Sequence, residues 1–535
     1  MAMTPIDVGR IKILPFEFDS IEELRIDKTL NDHATLYVRG IIRDDYRDSP
    51  VKETPHMAAV KCENDGQVYF SGLLQRMKIT CVDATYTLEV HAASSTILLD
   101  REKHRRSFQD NAQSYKSIVE TVIKEKEGSV TFNADELKVE NIILQYDETD
   151  WEFAKRLASH TGSVLVPAAT SEKPCFHFGA PFAGGGEIEA RDYSIENDYD
   201  AYHRMTQEGF PYAEEDAVRY TVGADDYLYA PGEKVTLNGM ELYVSEARLS
   251  LINYAVHCFY TLAPKNALST HKHFNKAIIG LALDGTVLKA EDDHVKLHLH
   301  IDKEQDERKA HLFAYATGYS AEGHTGWYVM PEEGDTVHLT FPEQDEKHAY
   351  ACTSVRQEGT ERTSDPLVKF LRTTFGKEIK FNNQEILITG KDDDTFIRVN
   401  ESTGIEIITS NPISISSGST VSINSASDMS INSGSNLSIT AASSIVMSCG
   451  ENCITIEPPT GMEITTDKEI NVRSEGDFAV ESSSEMSLSS EGDMSISTDT
   501  ELAQSAGTEI KISCSGSSIL LDGEIDFKGK KIKEN

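Results

Sequence analysis

From Ile405 to Ile512 the apolar residues fall in pairs two apart, and the pairs recur every eight residues. They are Ile405/Ile407, Ile413/Ile415, Val421/Ile423, Met429/Ile431, Leu437/Ile439 and Ile445/Met447, then one extra residue around Cys449 to Cys453. The register resumes at Ile454/Ile456 and runs through Met462/Ile464, Ile470/Val472, Phe478/Val480, Met486/Leu488, Met494/Ile496, Leu502/Gln504 and Ile510/Ile512. Of these twenty-eight positions only Gln504 is not apolar. An apolar pair at i and i+2 is what a short half-buried strand requires, because alternate side chains point to opposite faces. The Ser, Gly, Asn and Asp between pairs suit bends.

A fixed short period held over fourteen units is the mark of a solenoid. One such chain is too thin to bury its own pairs. Three copies wound about one axis would bury them all, at roughly 1.5 kcal/mol or more per aliphatic side chain. The pattern therefore predicts a C-terminal triple-stranded intertwined β-helix and a homotrimer. Fourteen layers at about 4.8 Å make a needle on the order of 70 Å long. The alternative is a polar linker that never folds, but random Ser-rich sequence would not hold phase this long.

Upstream, strand-length runs with Asp/Asn/Gly turns fill residues 1 to about 95: Ile11 to Leu14, Ala34 to Ile42, Met57 to Cys62, Gln67 to Gly72 and Tyr86 to His91. Tyr115, Ile118, Val119 and Val122 lie at helical spacing within a helix expected near 108–126. A second helix, near 149–161, follows Thr149 as N-cap with Glu152 three residues on, and turns Trp151, Ala154, Leu157 and Ala158 inward. β pattern returns from Val164 to about Ala263, with a hairpin turn expected at Ala183 to Glu187. Residues 277–357 read as a compact β unit, with the alternating run Val295 to Ile301.

Composition narrows the partners. Against 51 Lys+Arg stand 88 Asp+Glu, a net charge of −37. That disfavours nucleic acid and anionic membrane, both of which reward clustered cations. Residues 401–535 alone hold seven Lys/Arg and twenty-one Asp/Glu. The eight cysteines are spread thinly and are expected to be reduced. No signal peptide and no membrane span is expected.

Tyr146 to Gly162 (YDETDWEFAKRLASHTG) resembles the "Y-x-E-S-D-W-x-F-L-x-R-L-A-E-x-x-G" segment of the VgrG spike and phage late control gene D family. Arg105 to Gln109 and Ser114 to Val119 resemble that family's "R-x-F-Q … T-Y-x-x-I". Gly326 to Val355 is similar to its OB-type barrel, with Ala349 to Thr353 where the family prefers Pro and Gly. Thr373 to Asn383 resembles the strand that leads into the rod. The resemblance implies a mainly β chain: a hub of two β-barrel-like subdomains with a few helices over 1–268, an OB-type barrel over 277–357, a linker and lead-in strand over 358–378, and the needle over 379–535. It also implies the partners: a tail tube (Hcp-like) protein, baseplate proteins, a PAAR-like tip protein and effector cargo. Assembly would be cytoplasmic, with delivery to or through a target envelope on firing.

Candidate chemistry is sparse. His294, His298 and His300 share one strand face, as solvent-facing residues or as part of a metal site. Cys449 and Cys453 sit at the register shift, either filling a packing defect or, across three copies, holding metal. Gly318 to Gly323 misses the nucleophile elbow by one residue. Ala183-Gly-Gly-Gly-Glu lacks the Lys-Ser/Thr of a phosphate loop, and Asp392-Asp-Asp lacks the Gly and distal Glu of a calcium loop. No catalytic residue, cofactor or metal site is expected. The basic tail Lys528, Lys530, Lys531 and Lys533 could dock a tip cap or simply solubilise the end, and the basic stretch Arg101 to Arg106 could face tube or baseplate or lie solvated.

The reading is a central spike of a contractile injection system, capping the inner tube and puncturing mechanically. Its needle core would comprise Ile413, Ile415, Val421, Ile423, Met429, Ile431, Leu437, Ile439, Ile464, Ile470, Val472, Phe478, Val480, Met486, Leu488, Met494, Ile496, Ile510 and Ile512. The alternative is a tailspike-type enzyme acting on cell-surface polysaccharide. It requires paired carboxylates in a cleft, and the rod's Glu475, Glu485, Glu491 and Asp493 fall at scattered repeat positions.

Overall fold

Alternation decides the first layer. Thr35–Ile42 buries every second residue, as do Ala59–Asn64 and Ala255–Ala263 over most of their length. These strands belong to a twelve-stranded sheet whose main path runs Ile11–Leu14, Ala59–Asn64, Gln67–Val82, Thr85–Ser94, Thr35–Ile42, Ser20–Thr29, Met240–Ile252, Ala255–Ala263, Val218–Ala224, Tyr193–Asn197. The computed structural model describes residues 6–533 apart from 208, 225–228, 322–324, 357–358, 451, 458–460, 514, 517–525 and 527. It divides into two units, Met1–Asn411 and Pro412–Asn535.

The resemblance implies two barrel-like subdomains over 1–268, and in the structure strands from both parts of that span pair in this one sheet. The seam is the antiparallel pairing of Arg25 to Thr29 with Glu246 to Ser250. Unpaired, those two edges would leave rows of backbone donors and acceptors without partners. Leu24, Ile26, Val38, Leu88, Leu249 and Leu251 share one core across the seam. Ala183 to Glu187 is no hairpin: Gly186–Ile188 lies parallel to Val235 to Leu237, and parallel partners need a longer connection.

The first helix is Tyr115–Lys124, shorter than the sequence suggests. Ser114 caps it in a reciprocal box with Ser117, while Phe108 ends the strand Lys103–Phe108. The second helix, Asp150–His160, starts as expected. Thr149 Oγ1 accepts from Glu152 N at 3.1 Å and Glu152 Oε2 accepts from Thr149 N at 2.9 Å. It stops beside Gly162, whose φ of +65° is the left-handed conformation glycine adopts without strain. Ile118, Val122, Trp151, Phe153 and Leu157 pack with Phe176 and Phe178 of a three-stranded sheet.

The OB-type barrel is closed. Its strands follow the order Leu281–Glu291, His294–Leu299, Leu312–Ala316, Tyr350–Ser354, Thr336–Phe341 and back to the first. Leu312–Ala316 and Tyr350–Ser354 pair in parallel, and the other neighbours are antiparallel. Val287, Val295, Leu297, Phe313, Val337 and Phe341 fill it, and Ile142 and Leu144 of the hub complete the same core. Hub and barrel are therefore packed together rather than strung on a linker.

Residues 369–408 form a five-stranded antiparallel meander: Lys369–Arg372, Glu378–Phe381, Glu385–Lys391, Thr395–Asn400 and Gly404–Ile408. The sequence reading starts the needle at 379. The structure keeps 379–411 in the first unit because tight turns at Asn382 to Gln384 and at Asp392 to Asp394 return each strand to its own neighbour. In the second unit, Ile445–Cys449, Asn452–Glu457 and Gly461–Thr465 form a three-stranded meander.

Candidate functional site

The octad appears in the second unit as a repeated hydroxyl-closed bend. Ser417 Oγ accepts from Ser419 N at 3.1 Å and donates to Thr420 O at 3.5 Å. Ser425, Ser433, Ser482 and Ser490 make the same two bonds. Ser474 does likewise, donating also to Gly476 O. Such a side chain holds a turn that the backbone alone would leave open. Thr466, thirty-three residues after Ser433, carries the bend one residue past four octads and accepts from Lys468 N.

Between the bends, the paired apolar residues have nothing to pack on within one copy. Ile415 is 74% exposed, Leu488 72% and Ile512 74%, and every other predicted core residue from Ile413 to Ile510 is also exposed. The three-stranded meander is the exception in arrangement. There Ile445 faces Ile456, Met447 faces Ile454, Ile454 faces Ile464 and Ile456 faces Met462, so three octad pairs share one sheet face. This hairpin is the physical content of the one-residue shift. Cys449 ends the first of its strands and is exposed. The Cys453 side chain and Cys514 lie outside the described residues.

A second apolar face, absent from the sequence reading, lies on the five-stranded meander. Leu371 faces Ile379, which faces Ile388, then Ile397, then Ile407. Phe381 faces Ile386, then Val399, then Ile405. All nine are exposed, from Ile397 at 38% to Ile405 at 71%. The opposite face carries ion pairs among its side chains. Glu378 receives Arg372 at 3.0 Å, and Arg398 bridges Glu385 at 3.1 Å and Glu406 at 2.8 Å. The Arg372 side chain also holds the Asp392 carboxyl below its ordinary value, chiefly by hydrogen bonding. The missed signal was present: Ile397/Val399 stands one octad before Ile405/Ile407.

Lys528, Lys530, Lys531 and Lys533 are all exposed, and Lys528 pairs with Asp526. The basic stretch is largely committed internally. Arg101 donates to Gln75, Arg105 to Asp147, and Arg106 to Gln145 and the buried Asp150. His298 Nε2 lies 3.1 Å from Asp302 O, His300 Nε2 lies 2.9 Å from Thr286 Oγ1, and His294 contacts Asp293. Among the described residues no group of three His, Cys, Asp or Glu is arranged to hold a metal.

Residues 39–173 match the family described as phage tail baseplate hub (GPD). That span covers the hub strands from Arg39, both capped helices and the Tyr146 to Gly162 segment, so the likeness to VgrG spikes and late control gene D proteins stands on the hub. No curated protein matches the chain. Among solved structures, the E. coli c3393 protein, a component of the type VI secretion system, aligns at 14% identity over 65% of this chain and 99% of its own, with a TM-score of 0.46. The 43 kDa tail protein of prophage MuSo2 from Shewanella oneidensis aligns at 12% identity over 49% and 98%, with a TM-score of 0.40. The half-lidded Francisella PdpA-VgrG complex aligns at 8% identity over 74% and 87%, with a TM-score of 0.46.

Proposed function

We propose that three copies of this chain form the central spike of a contractile injection system, with residues 412–512 as an intertwined β-helical needle. The observation that carries this reading is the exposed octad: apolar pairs in constant phase, set by regular bends, with nothing to cover them in one copy. Water contact on that scale is unsustainable. Three identical chains supply identical pairs at every layer, and each burial contributes roughly 1.5 kcal/mol or more. The apolar face of the five-stranded meander is likewise covered by its counterparts in the other two copies.

The role is mechanical, not enzymatic. Sheath contraction supplies force; the hub region caps the inner tube, an Hcp-like ring protein, and sits against baseplate proteins. A needle hydrogen-bonded around its axis resists bending and concentrates load on a narrow point, which punctures the target envelope. A PAAR-like protein on the Lys528 to Lys533 tail and effector cargo complete the assembly. The particle assembles in the cytoplasm and acts at the target envelope.

The test is negative-stain microscopy of purified tube protein from the same gene cluster mixed with the full chain. Spikes seated on tube ends are expected. Bare tube ends at saturating chain concentration would remove the proposal.

A further inference from the structure

The chain has two tryptophans, and they sit in opposite settings. Trp151 is 3% exposed in the hub core, whereas Trp327 on the barrel is 71% exposed, beside Tyr328 at 72%. A large aromatic held in water by an ordered backbone calls for a partner. Trp327 N donates to Tyr319 O at 2.8 Å, and Tyr328 Oη donates to Asp292 O at 2.6 Å. The first bond ties the aromatic segment to the stretch after the third barrel strand, and the second holds it against the turn that joins the first two.

Between segment and turn lies a cleft of about 810 Å³, lined among others by Asp292, Asp293, Tyr315, Trp327, Tyr328 and Met330. Its size suits a small ligand. Tyr315 N donates to Asp293 O at 2.9 Å and ties the cleft floor to the same turn, while the Asp293 carboxylate also meets His294 Nδ1. The cleft opens on the barrel face formed by the end of the third strand and the loop between the first two, part of the surface with which barrels of this topology bind ligands. That face takes oligonucleotides or oligosaccharides. Two carboxylates at the cleft and a net charge of −37 repel phosphates. Carboxylates do accept hydrogen bonds from sugar hydroxyls, and an indole face matches the apolar C–H face of a pyranose ring.

We infer that this cleft is a binding site for an uncharged oligosaccharide, with Trp327 as its stacking platform and Asp292 and Asp293 as hydroxyl acceptors. The site would let the barrel grip glycan. It requires no bond to be broken and is independent of the puncturing role.

The experiment titrates the full chain with chitotetraose, with maltotetraose and with a thymidine octanucleotide, following tryptophan emission. Trp151 is buried, so a shift reports Trp327. A saturable blue shift with at least one sugar and none with the oligonucleotide is expected. By calorimetry, Trp327→Ala should weaken sugar binding at least about tenfold, Asp292→Asn should weaken it several-fold, and Trp327→Tyr should restore part of it. Four results would each overturn the inference: no saturable shift with either sugar, a response to the oligonucleotide alone, undiminished sugar binding by Trp327→Ala, or Trp327 shielded from acrylamide in the unliganded protein. The last would mean that another copy of the chain covers the cleft.

Discussion

Arg156 on the hub helix donates from Nη1 to Glu346 Oε1 of the barrel at 2.9 Å, and both side chains are at most 4% exposed. The same guanidinium donates to Glu148 Oε1 and Oε2 at 2.8 Å each and to Leu144 O at 2.7 Å. Burial alone would lower its pKa, but Glu346 and Glu148 outweigh burial and hold the charge firmly. One buried cation thus pins barrel to hub at the core that Ile142 and Leu144 complete.

Removing one partner should be costly. Glu346→Ala leaves the Arg156 charge under-compensated, and we expect a loss of about 3 kcal/mol in urea denaturation of the full chain. The double change Arg156→Met with Glu346→Leu should recover most of it, because a packed apolar pair carries no desolvation debt. A double variant no better than the single would show that the pair is not a unit.

Lys28 is 7% exposed within the hub core, and burial pulls its pKa down to about 8 despite Glu233 nearby. Cys62 and Cys258 also face it. The unfolded chain holds its proton up to the ordinary 10.5, so between about 8 and 10.5 the unfolded state binds more protons. Lys28 therefore adds to hub stability as pH rises through that window, by up to about 3 kcal/mol, while the Cys62 thiol, pushed up to about 12 by burial, works the other way above 9. Lys28→Met should abolish that contribution and stabilise the hub at pH 7, read as an increase in Tm. A lower Tm at pH 7 would contradict it.

Among several histidines whose pKa burial lowers, His160 adds to the acid limb. Its Nε2 lies 2.9 Å from His273 O, and burial, then Arg156 and Lys272, lower its pKa to about 3. The ring stays neutral when folded but gains a proton below 6.5 when unfolded. Stability should fall as pH drops from about 6.5 toward 3, by about 1.4 kcal/mol per unit. His160→Gln should flatten that slope in denaturant midpoints taken from pH 7 to 5. An unchanged slope would place the acid sensitivity elsewhere.

Thr149 does two jobs: it caps the Asp150–His160 helix and donates to Asp100 Oδ1 at 2.5 Å. Thr149→Ala should cost about 1–2 kcal/mol, and Thr149→Ser should recover most of it. Equal losses for both would mean that the methyl group, not the hydroxyl, matters.

Local rules carried far where one residue's neighbours in sequence decide its state. The Thr149 and Glu152 box, the inward Trp151 and Leu157, and the octad bends at Ser417 and its repeats are all set within a few residues. Features that depend on distant pairing escaped. Ser20–Thr29 was not read as a strand, since the buried Lys28 breaks its apolar alternation and only Met240–Ile252 across the seam explains it. Thr373 to Asn383 resembles a strand leading into the needle, but the turns at Asn382 to Gln384 and Asp392 to Asp394 send the chain back on itself as a meander. The meander at Ile445 to Thr465 showed only as a slipped residue. The aromatic cleft was invisible, because Asp292 and Trp327 meet only once the barrel closes.

Sedimentation equilibrium of the full chain at micromolar concentration tests the central claim most directly. The account predicts a particle of three times 59.3 kDa, falling apart when Ile431→Asp and Ile439→Asp place charge in the threefold core. A stable mass of 59.3 kDa for the unaltered chain would contradict it.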